Sequence, residues 1–433
     1  MKAVIMAGGK GTRLMSITRD EIPKPMVKLC GKPVLEHQIA VLKKNGLHEI
    51  TIIAGYLHEK IQEYFGNGSA YGVNINYIIE DQPLGTAGSL FYLKNSLKED
   101  FLLLFGDIVF DISIQRMAEQ HRLTRAKATL FVHPNTHPYD SDLVVLDEAY
   151  RVIGFDSKHN LRDYYYSNLV NGGIYIINPA LLDGLGFTVR RDLEKDILFP
   201  QGNAIKGLYG YISPEYVKDV GTPERLKLAE LDLANGIVSA RNLDNSQKCI
   251  FLDRDGTVNK YVGLLFEIEK FELEDGAAEA IRQINGSGYL AIVITNQPVV
   301  ARNLCSMEQL QNIHNKMETL LGNEKAFVDA ILFCPHHPDK GYPEENPIYK
   351  IKCNCRKPMN GLIEQCQERF HIDPAQSWYI GDTTVDIQLG INAGLRTVLV
   401  RTGVGGADGK FNVKADLECA NLPEAVQKIL GVG

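Results

Sequence analysis

The sequence predicts two α/β domains, and three observations carry this prediction. The chain has 433 residues, which is long for one core and typical of about two or three domains. Short apolar, β-rich runs alternate with helical patterns, as in buried strands of mostly parallel sheets. The alternation is interrupted once, because residues 239–247 are polar and have no clear period. We therefore predict a first domain over 1–235, a linker over 236–247 and a second domain over 248–433.

The predicted strands fall into two series, and a Leu- and Ala-rich helix over 224–235 ends the first. Each series has the Rossmann-like α/β/α pattern, in which ligands bind beyond the carboxyl ends of the strands. Polar clusters that directly follow strands are therefore the candidate sites. The first series comprises 3–6, 50–54, 75–79, 101–105, 128–132 and 173–177, and the second comprises 249–252, 290–294, 330–333, 378–380 and 397–400.

Composition excludes several classes of protein. Apolar residues at 45% and charged residues at 23% are those of an ordinary globular chain. The net charge of -7 gives no general attraction for nucleic acid or an anionic membrane. No apolar run approaches the roughly 20 residues of a membrane-spanning helix, and the N-terminus lacks the regions of a signal peptide. We expect a cytoplasmic protein, and the eight cysteines in so long a chain indicate no disulfide framework.

A glycine-rich turn follows the first predicted strand. Its glycines would let main-chain N–H groups approach a phosphate chain, which Arg13 would neutralise. The pattern is neither a P-loop nor the spaced glycines of dinucleotide folds, and taken alone it is as often only a tight turn. The candidate nucleotide-binding residues are Ala7, Gly8, Gly9, Gly11, Thr12 and Arg13.

Five further motifs follow the turn along the chain. They are Pro23–Met26, Leu84–Gly88, Phe105–Asp107, Asn171–Gly173 and Asp219–Thr222. With these motifs, about the first 235 residues resemble the sugar nucleotidyltransferases, particularly the mannose-1-phosphate and heptose-1-phosphate guanylyltransferases. The resemblance implies a mixed sheet and attack of a sugar 1-phosphate on the α-phosphorus of a nucleoside triphosphate, with release of pyrophosphate. The nucleotide it implies is GTP.

The same resemblance assigns roles to individual residues. Asp107 and Asp219 would hold Mg²⁺, and Arg13 and Lys24 would stabilise charge at the reacting phosphates. Outside the motifs such residues are more often turn aspartates and solvated surface cations. Gly85 and Gly88 would leave room for the base, and Asn171 and Gly172 would face the sugar.

Two sugar-side elements match the family less closely. Where the family often has a Glu-Lys pair, this chain has Phe155-Asp156-Ser157-Lys158, so Lys158 is retained without the acidic partner. Glu194 resembles another sugar-side residue, and the alternative is a solvated helix charge.

In the second domain, polar clusters again follow predicted strands. Asp253 and Asp255 come directly after one strand, where a nucleophile and an acid–base group could share a pocket; a lone Asp-x-Asp is more often a turn. Thr295, Lys357, Asp382 and Asp386 complete an ordered set. The set resembles the haloacid dehalogenase phosphatases.

This resemblance implies covalent catalysis at Asp253. Asp253 would attack phosphorus, and Asp255 would protonate the leaving alkoxide and then activate water. Thr295 and Lys357 would hold the phosphoryl oxygens. Mg²⁺ would be held by Asp253, Asp382 and the main-chain carbonyl of Asp255, with Asp386 close by.

A cysteine cluster precedes Lys357. Three thiolates and one imidazole satisfy a closed, structural zinc site, whereas the alternative is a set of free cysteines with a surface histidine. The predicted ligands are Cys334, His336, Cys353 and Cys355, with His337 a bystander.

The cysteine loop narrows the family, because it resembles that of the D-glycero-D-manno-heptose 1,7-bisphosphate phosphatases and the related histidinol-phosphate phosphatases. Two of the substrate-side residues are arginines suited to a second phosphate. Where the family usually has Ser-Gly, this chain has Pro298-Val299, which changes the pocket edge. The substrate-side residues are Asn259, Asn296, Gln297, Arg302 and Arg356.

The two resemblances together favour consecutive steps in one pathway. A phosphatase would make heptose 1-phosphate from the bisphosphate, and the nucleotidyltransferase would convert it to GDP-heptose. One alternative keeps both reactions with mannose 1-phosphate or ADP-heptose. Another is a histidinol-phosphate-type phosphatase with a regulatory domain that binds a nucleotide sugar.

Overall fold

The chain forms two compact units. The computed structural model describes residues 1–9, 11–183, 185, 189–339 and 345–431, with only the main chain of Gln201. The first unit comprises Met1–His133, Asp142–Ser157 and Leu169–Asn242, and the second comprises Pro134–Ser141, Lys158–Asn168 and Leu243–Gly433. Two short segments from the first part of the sequence therefore group with the second unit.

The first unit is a mixed α/β structure in which all six predicted strands appear. Its helices are α1 Met15–Thr18, α2 Val34–Lys44, α3 His58–Phe65, α4 Ile114–Thr124, α5 Pro223–Ala234 and α6 Ile237–Ala240. Its strands are β1 Ala3–Ala7, β2 Lys28–Leu29, β3 Lys32–Pro33, β4 Glu49–Ala54, β5 Asn74–Ile79, β6 Phe101–Phe105, β7 Ile108–Asp111, β8 Ala128–His133, β9 Leu143–Leu146, β10 Val152–Asp156, β11 Val170–Ile177, β12 Leu208–Ile212 and β13 Tyr216–Asp219.

The main sheet of this unit has nine strands. Its principal order is β10-β9-β11-β6-β1-β4-β5, and β8 pairs with both β11 and β12. Strands β6, β1, β4 and β5 are parallel, whereas β11 runs antiparallel to β6, β8 and β9. Because side chains of a strand alternate between the faces of a sheet, Ile5 packs with Leu35 and Ile39 of α2, while Val4 packs with Leu90 on the opposite face.

The second unit contains a parallel six-stranded sheet in the order β16-β15-β14-β17-β18-β19. All five strands predicted here appear, and the order reverses at β14, the position where ligands of open α/β sheets bind. The strands are β14 Lys248–Leu252, β15 Tyr289–Asn296, β16 Ala330–Cys334, β17 Trp378–Gly381, β18 Arg396–Val400 and β19 Leu417–Cys419. The helices are α7 Ala277–Asn285, α8 Met307–Asn323, α9 Gly361–Phe370, α10 Thr384–Asn392 and α11 Leu422–Leu430.

The predicted linker contains ordered structure. Helix α6 occupies its beginning, with Ile237 and Val238 buried. Arg241 and Asn242 are also buried, and the Asn242 amide donates to Asp111 at 2.6 Å. These residues pack as part of the first unit, which ends at Asn242.

Helix α8 of the second unit binds one of the two added segments. The Tyr166 N–H donates to the Thr319 hydroxyl at 2.9 Å, and the Ser167 hydroxyl donates to Glu318 at 3.0 Å. The Asn168 N–H also donates to Glu318, at 3.3 Å. Burial of this glutamate raises its pKa to about 7.

Across the part of the chain that the structure describes, the helices are too short or too polar to cross a membrane.

Candidate active sites

In the first unit, the two predicted metal ligands lie at or near the ends of strands that approach each other. Asp107 lies two residues after the end of β6, which runs parallel to β1, and the glycine turn follows β1. Asp219 ends β13 and pairs with Ile108, and the Val220 N–H donates to the Asp107 carbonyl at 2.9 Å. The antiparallel pairing of β13 with β7 therefore brings the two aspartates to the edge of the sheet where β1 ends.

Lys24 joins Asp107 to the glycine turn. Its ammonium forms a hydrogen-bonded ion pair with the Asp107 carboxylate. Its aliphatic stem packs against Gly11, where an added Cβ would lie 2.9 Å from Lys24 Cβ. Gly11 also has a φ of 63°, a conformation that favours glycine. The glycine thus permits both the turn and the approach of Lys24.

Asp219 is held by Arg225 and by its own turn. The Arg225 Nη1 group lies 3.0 Å from each Asp219 carboxylate oxygen, and the Gly221 N–H donates to Oδ1 at 3.0 Å. A Cβ on Gly221 would lie 3.1 Å from Arg13 Nη2, so Arg13 is also beside this turn. Sequence reasoning missed Arg225, although its place in the first turn of the helix after the Asp219 motif was the available signal.

The predicted sugar side contains a partly buried hydrogen-bond cluster. The Asn171 amide donates to Tyr175 Oη at 2.8 Å and to Glu194 Oε1 at 3.3 Å, and the Tyr175 hydroxyl donates to the same Glu194 oxygen. Burial raises the pKa of Glu194 to about 7. Asn171 and Glu194 are therefore in direct contact, and Glu194 is not a solvated helix charge.

Other predicted residues of this unit have different surroundings. A Cβ on Gly88 would lie 2.6 Å from the Val189 carbonyl, and one on Gly85 would overlap the Arg191 carbonyl. These glycines permit the close approach of segment 189–191, and their contact with a base stays a prediction. Lys158 begins the segment Lys158–Asn168 of the second unit, so its role at the sugar phosphate also stays a prediction.

In the second unit, Lys357 lies between two predicted catalytic carboxylates. Its ammonium donates to Asp253 Oδ1 and to Asp386 Oδ1, both at 2.7 Å. Burial raises the pKa of Asp253 well above its usual range, and the neighbouring Asp386 adds to this effect. Burial alone would lower the pKa of Lys357, but the Asp253 and Asp386 carboxylates outweigh burial and raise it.

Asp382 completes a carboxylate cluster. The ligand oxygens of Asp253, Asp382 and Asp386 lie within 4.8 Å of one another, and all three residues are buried. Asp382 Oδ2 accepts from the Val404 N–H at 2.7 Å, whereas its buried Oδ1 has no hydrogen-bond partner among the described residues. Burial raises the pKa of Asp382 to about 7. An orphaned oxygen in a cluster of hard carboxylates fits a divalent cation.

Asp255 is held by three side chains. Arg254 Nη2 lies 2.9 Å from both of its carboxylate oxygens, Gln297 donates to Oδ2 at 2.7 Å and Asn259 donates to Oδ1 at 3.1 Å. Gln297 also donates to the Thr295 hydroxyl at 3.0 Å. Asn259 and Gln297 thus orient the predicted acid–base group.

Sequence reasoning missed the role of Arg254. Its side chain is fully buried although it is an arginine between two predicted catalytic aspartates. That placement was the signal, because a buried guanidinium requires acceptors within reach.

The remaining substrate-side residues flank Lys357. Asn296 accepts from the Lys357 N–H at 3.0 Å and donates to its carbonyl at 3.3 Å, which fixes the main chain of Lys357. Arg356 donates to the His336 carbonyl at 3.0 Å. Burial lowers the pKa of Arg356, and nearby Arg302 lowers it further. Two close guanidinium groups are suited to an anion.

The four predicted zinc ligands meet in the second unit. Their ligand atoms lie within 4.8 Å of one another, and His336 Nδ1 and Cys334 Sγ each lie 3.2 Å from Cys355 Sγ. Cys353 Sγ lies 3.6 Å from Cys334 Sγ. Burial and the neighbouring thiols raise the pKa of Cys334. Such a cluster of thiols with one imidazole nitrogen fits a tetrahedral metal ion.

The geometry defines one unit with a glycine-rich turn beside paired carboxylates and cations, and one with a cluster of buried aspartates around a lysine. Comparison with known families agrees with this division. The family described as nucleotidyl transferase matches residues 2–236, and the family described as HAD-hydrolase-like matches residues 354–425. The chain belongs to the nucleotidyl transferase family over its first part and to the HAD-like phosphatases over its second part.

Individual relatives cover each half. A D-glycero-alpha-D-manno-heptose 1-phosphate guanylyltransferase of Aneurinibacillus thermoaerophilus is 34% identical over 238 residues, which are 55% of this chain and 100% of that protein. A D-glycero-beta-D-manno-heptose-1,7-bisphosphate 7-phosphatase of Haemophilus ducreyi is 39% identical over 183 residues, 42% of this chain and 97% of that protein. The solved D,D-heptose 1,7-bisphosphate phosphatase from B. bronchiseptica, complexed with magnesium and phosphate, is 30% identical, with a TM-score of 0.38, and the match covers 43% of this chain and 100% of that one.

Proposed function

We propose that this chain catalyses two consecutive steps in the synthesis of a nucleotide-activated heptose. The second unit removes the 7-phosphate of D-glycero-D-manno-heptose 1,7-bisphosphate, and the first joins the resulting heptose 1-phosphate to GTP. The products are orthophosphate, GDP-heptose and pyrophosphate. The observation that carries the proposal is the presence of both sites, each with a heptose-specific relative, in one chain.

The phosphatase chemistry begins at Asp253. Its carboxylate attacks the 7-phosphorus, and Asp255 protonates the departing sugar oxygen before it takes a proton from the water that hydrolyses the aspartyl-phosphate. Arg254 and Gln297 hold Asp255 in position for both transfers. Thr295 and Lys357 hold the phosphoryl oxygens, and Arg302 and Arg356 bind the second phosphate.

Two metal ions fit the second unit. Asp253, Asp382, Asp386 and the main-chain carbonyl of Asp255 would hold Mg²⁺, which when bound neutralises charge on the phosphoryl group. The cluster of Cys334, His336, Cys353 and Cys355 would hold a structural Zn²⁺ that fixes the loop before Arg356 and Lys357.

In the first unit, catalysis depends on positioning and charge neutralisation. Asp107 and Asp219 would hold Mg²⁺, which when bound neutralises charge on the triphosphate. Lys24 and Arg13 stabilise the negative charge that develops at the α-phosphate. The turn at Gly8, Gly9, Gly11 and Thr12 presents main-chain N–H groups to the phosphates, and Asn171 and Glu194 bind sugar hydroxyls.

The proposal requires the two sites to accept the same anomer. The two relatives carry different anomers in their names, alpha for the guanylyltransferase and beta for the phosphatase. Consecutive action requires the first unit to accept the anomer that the second releases. Because the guanylyltransferase relative is named for the alpha anomer, we expect the phosphatase of this chain to accept the α-bisphosphate.

The test is a coupled assay with purified full-length chain, Mg²⁺ and the α- and β-bisphosphates, each with GTP, ATP, UTP or dTTP. We expect orthophosphate release from the α anomer, followed by GTP-dependent pyrophosphate release and GDP-heptose. Orthophosphate release without nucleotide transfer would contradict the proposed nucleotide or sugar of the first unit. Release from the β anomer alone would contradict consecutive action.

The zinc site is tested by metal analysis. We expect zinc to copurify with the wild-type chain at an equimolar level, and Cys353→Ser to lower the zinc content and the thermal stability. The buried Cys249, which lies outside the cluster, supplies the matched control Cys249→Ser, which should retain zinc. Equal zinc content in both variants would contradict the site.

A further inference from the structure

Tyr379 is a buried tyrosine beside Lys357, and sequence reasoning assigned it no role. It lies in β17 opposite Phe251 of β14, and its exposed fraction is 0%. Its ring packs in an apolar cluster that includes Phe251 and Ile294. A phenylalanine would fill the same space and would bring no polar group into this core. The hydroxyl is therefore the part of the side chain that core packing does not explain.

The hydroxyl contacts both the Lys357 ammonium and the main chain before Thr295. It donates to the Ile294 carbonyl at 2.9 Å, and the ammonium donates to Tyr379 Oη and to the same carbonyl, each at 3.2 Å. Burial raises the pKa of Tyr379, so the hydroxyl keeps the proton that it donates. Lys357 and Thr295 are the residues proposed to hold the phosphoryl oxygens. Tyr379 thus contacts the first directly and the second through the carbonyl of the peptide bond that joins Ile294 to Thr295.

The contacts of the Lys357 ammonium form two pairs. Asp253 Oδ1 and Asp386 Oδ1 lie at 2.7 Å, and the Ile294 carbonyl and Tyr379 Oη lie at 3.2 Å. The carboxylates belong to the predicted nucleophile and metal site, so a bound phosphoryl group and cation would compete with the ammonium for them. The carbonyl and the hydroxyl belong to strands β15 and β17, and the proposed reaction does not use them. They are therefore the contacts that can hold the ammonium throughout the reaction.

We propose that Tyr379 is a positioning residue of the phosphatase reaction, whose hydroxyl holds the Lys357 ammonium and the main chain at Thr295 in place around the phosphoryl group. This inference rests on the proposed function and adds a residue to it. A donor that is already in place stabilises the charge of the transition state better than one that must reorient. The hydroxyl should therefore contribute to kcat. The alternative is that it only satisfies the buried Ile294 carbonyl.

The test compares kcat and KM for orthophosphate release with Mg²⁺ and the heptose bisphosphate anomer that the wild type hydrolyses. In Tyr379→Phe, which keeps the ring, we expect kcat to fall by roughly 10-fold, because a hydrogen bond to a charged group is lost. KM should change by less than about twofold, since Arg302 and Arg356 still bind the second phosphate. The matched control is Tyr289→Phe, which should retain the wild-type kcat because Tyr289 begins β15, at the opposite end from the site.

A double variant tests whether the hydroxyl acts through Lys357. In Lys357→Arg, a longer, planar cation replaces the ammonium and does not reproduce its contact with Tyr379 Oη. We expect Tyr379→Phe to change kcat by less than about twofold in this background, because the effects of residues in contact are not additive. Should Lys357→Arg have no turnover, urea unfolding supplies the same cycle. Tyr379→Phe should then cost less free energy of unfolding in Lys357→Arg than in the wild-type chain.

Two outcomes overturn the assignment. One is a kcat of Tyr379→Phe within about twofold of the wild type; combined with a loss of stability, it would show that the hydroxyl only satisfies the Ile294 carbonyl. The other is an equal effect of Tyr379→Phe in both backgrounds, which would show that it does not act through Lys357. Circular dichroism and nucleotidyl transfer by the same preparation verify folding. Each outcome leaves the proposed function standing if the wild type releases orthophosphate, whereas absence of that release overturns both.

Discussion

In the first unit, the carboxylates at the active site are paired one to one with cations and are partly open to solvent, whereas in the second unit two carboxylates share one buried lysine. The side chains of Lys24 and Asp107 are 12% and 30% exposed, and those of Arg225 and Asp219 are 16% and 36% exposed. Those of Lys357, Asp253 and Asp386 are 4%, 10% and 0% exposed. The same residue types therefore meet different dielectric environments.

This difference separates two ways of preparing a site for phosphate. With Asp382, the second unit contains three buried carboxylates, and burial raises the pKa values of Asp253 and Asp382. A divalent cation would relieve the repulsion among these carboxylates, so we expect the site to be built around a metal ion. In the first unit, Lys24 and Arg225 each pair with one aspartate, so less charge remains for a metal ion to neutralise.

The largest expected effect concerns Asp253, the proposed nucleophile of the second unit. We expect Asp253→Asn to lower the phosphatase kcat by roughly 10⁴-fold or more, because no aspartyl-phosphate can form. Nucleotidyl transfer from supplied heptose 1-phosphate should be unchanged. Orthophosphate and pyrophosphate release by the same preparation measure the two effects, and loss of both activities would contradict a division of chemistry between the two units.

The next prediction compares the lysines of the two sites. Lys357→Met leaves Asp253 and Asp386 buried without their cation, so we expect a loss of about 3 to 5 kcal/mol in the free energy of unfolding. Lys24→Met breaks a partly exposed ion pair and should change the free energy of unfolding by less than about 1 kcal/mol. Urea unfolding of the full chain without added metal measures both changes. Equal losses would show that burial does not distinguish the two sites.

Addition of Mg²⁺ sharpens this comparison. If the second unit is built around a divalent cation, the ion should recover part of the stability that Lys357→Met loses, since it also neutralises the carboxylates. The wild-type chain and Lys24→Met are the controls, in which we expect a smaller gain. A metal-independent loss in Lys357→Met would contradict the site of Asp253, Asp382 and Asp386.

Much of the fold was predictable because buried parallel strands have a local signal. The runs 3–6 and 249–252 are continuously apolar, and both became central strands flanked by parallel neighbours. Strands β7 and β13 were not predicted, because their short runs acquire strand structure from pairing with each other. The grouping of segments 134–141 and 158–168 with the second unit depends on distant contacts that no local pattern encodes.

The candidate sites followed the same rule. Asp253 was predictable because it follows an apolar strand directly, where a parallel sheet exposes its ligand edge, whereas Asp107 was predicted from the motifs that resemble the nucleotidyltransferases. The role of Arg254 was missed because an arginine is ordinarily solvated, although its acceptor Asp255 is the adjacent residue. Glu318 lies in a helix, where a glutamate is ordinarily solvated, and its burial results from the contacts with segment 158–168.

Glu318 gives the smallest expected effect and extends the comparison to a buried carboxylate away from the catalytic cluster. Its pKa is about 7 in the folded chain against the ordinary 4.5, so the folded state binds more protons than the unfolded state between these values. Stability should therefore fall as pH rises through this window. Above pH 7, ionisation of the buried Glu318 should lower the free energy of unfolding by about 3 kcal/mol. We expect Glu318→Gln to lose this pH dependence.

Urea unfolding at pH 5 and pH 8 measures the difference between wild type and variant at each pH. Glu308→Gln is the matched control, because Glu308 lies in the same helix and is exposed; it should follow the wild type. If Glu318→Gln and the wild type lose the same stability between the two pH values, Glu318 is ionised at little cost in the folded chain. Buried carboxylates of the second unit would then carry a penalty only where they are clustered, as at Asp253, Asp382 and Asp386.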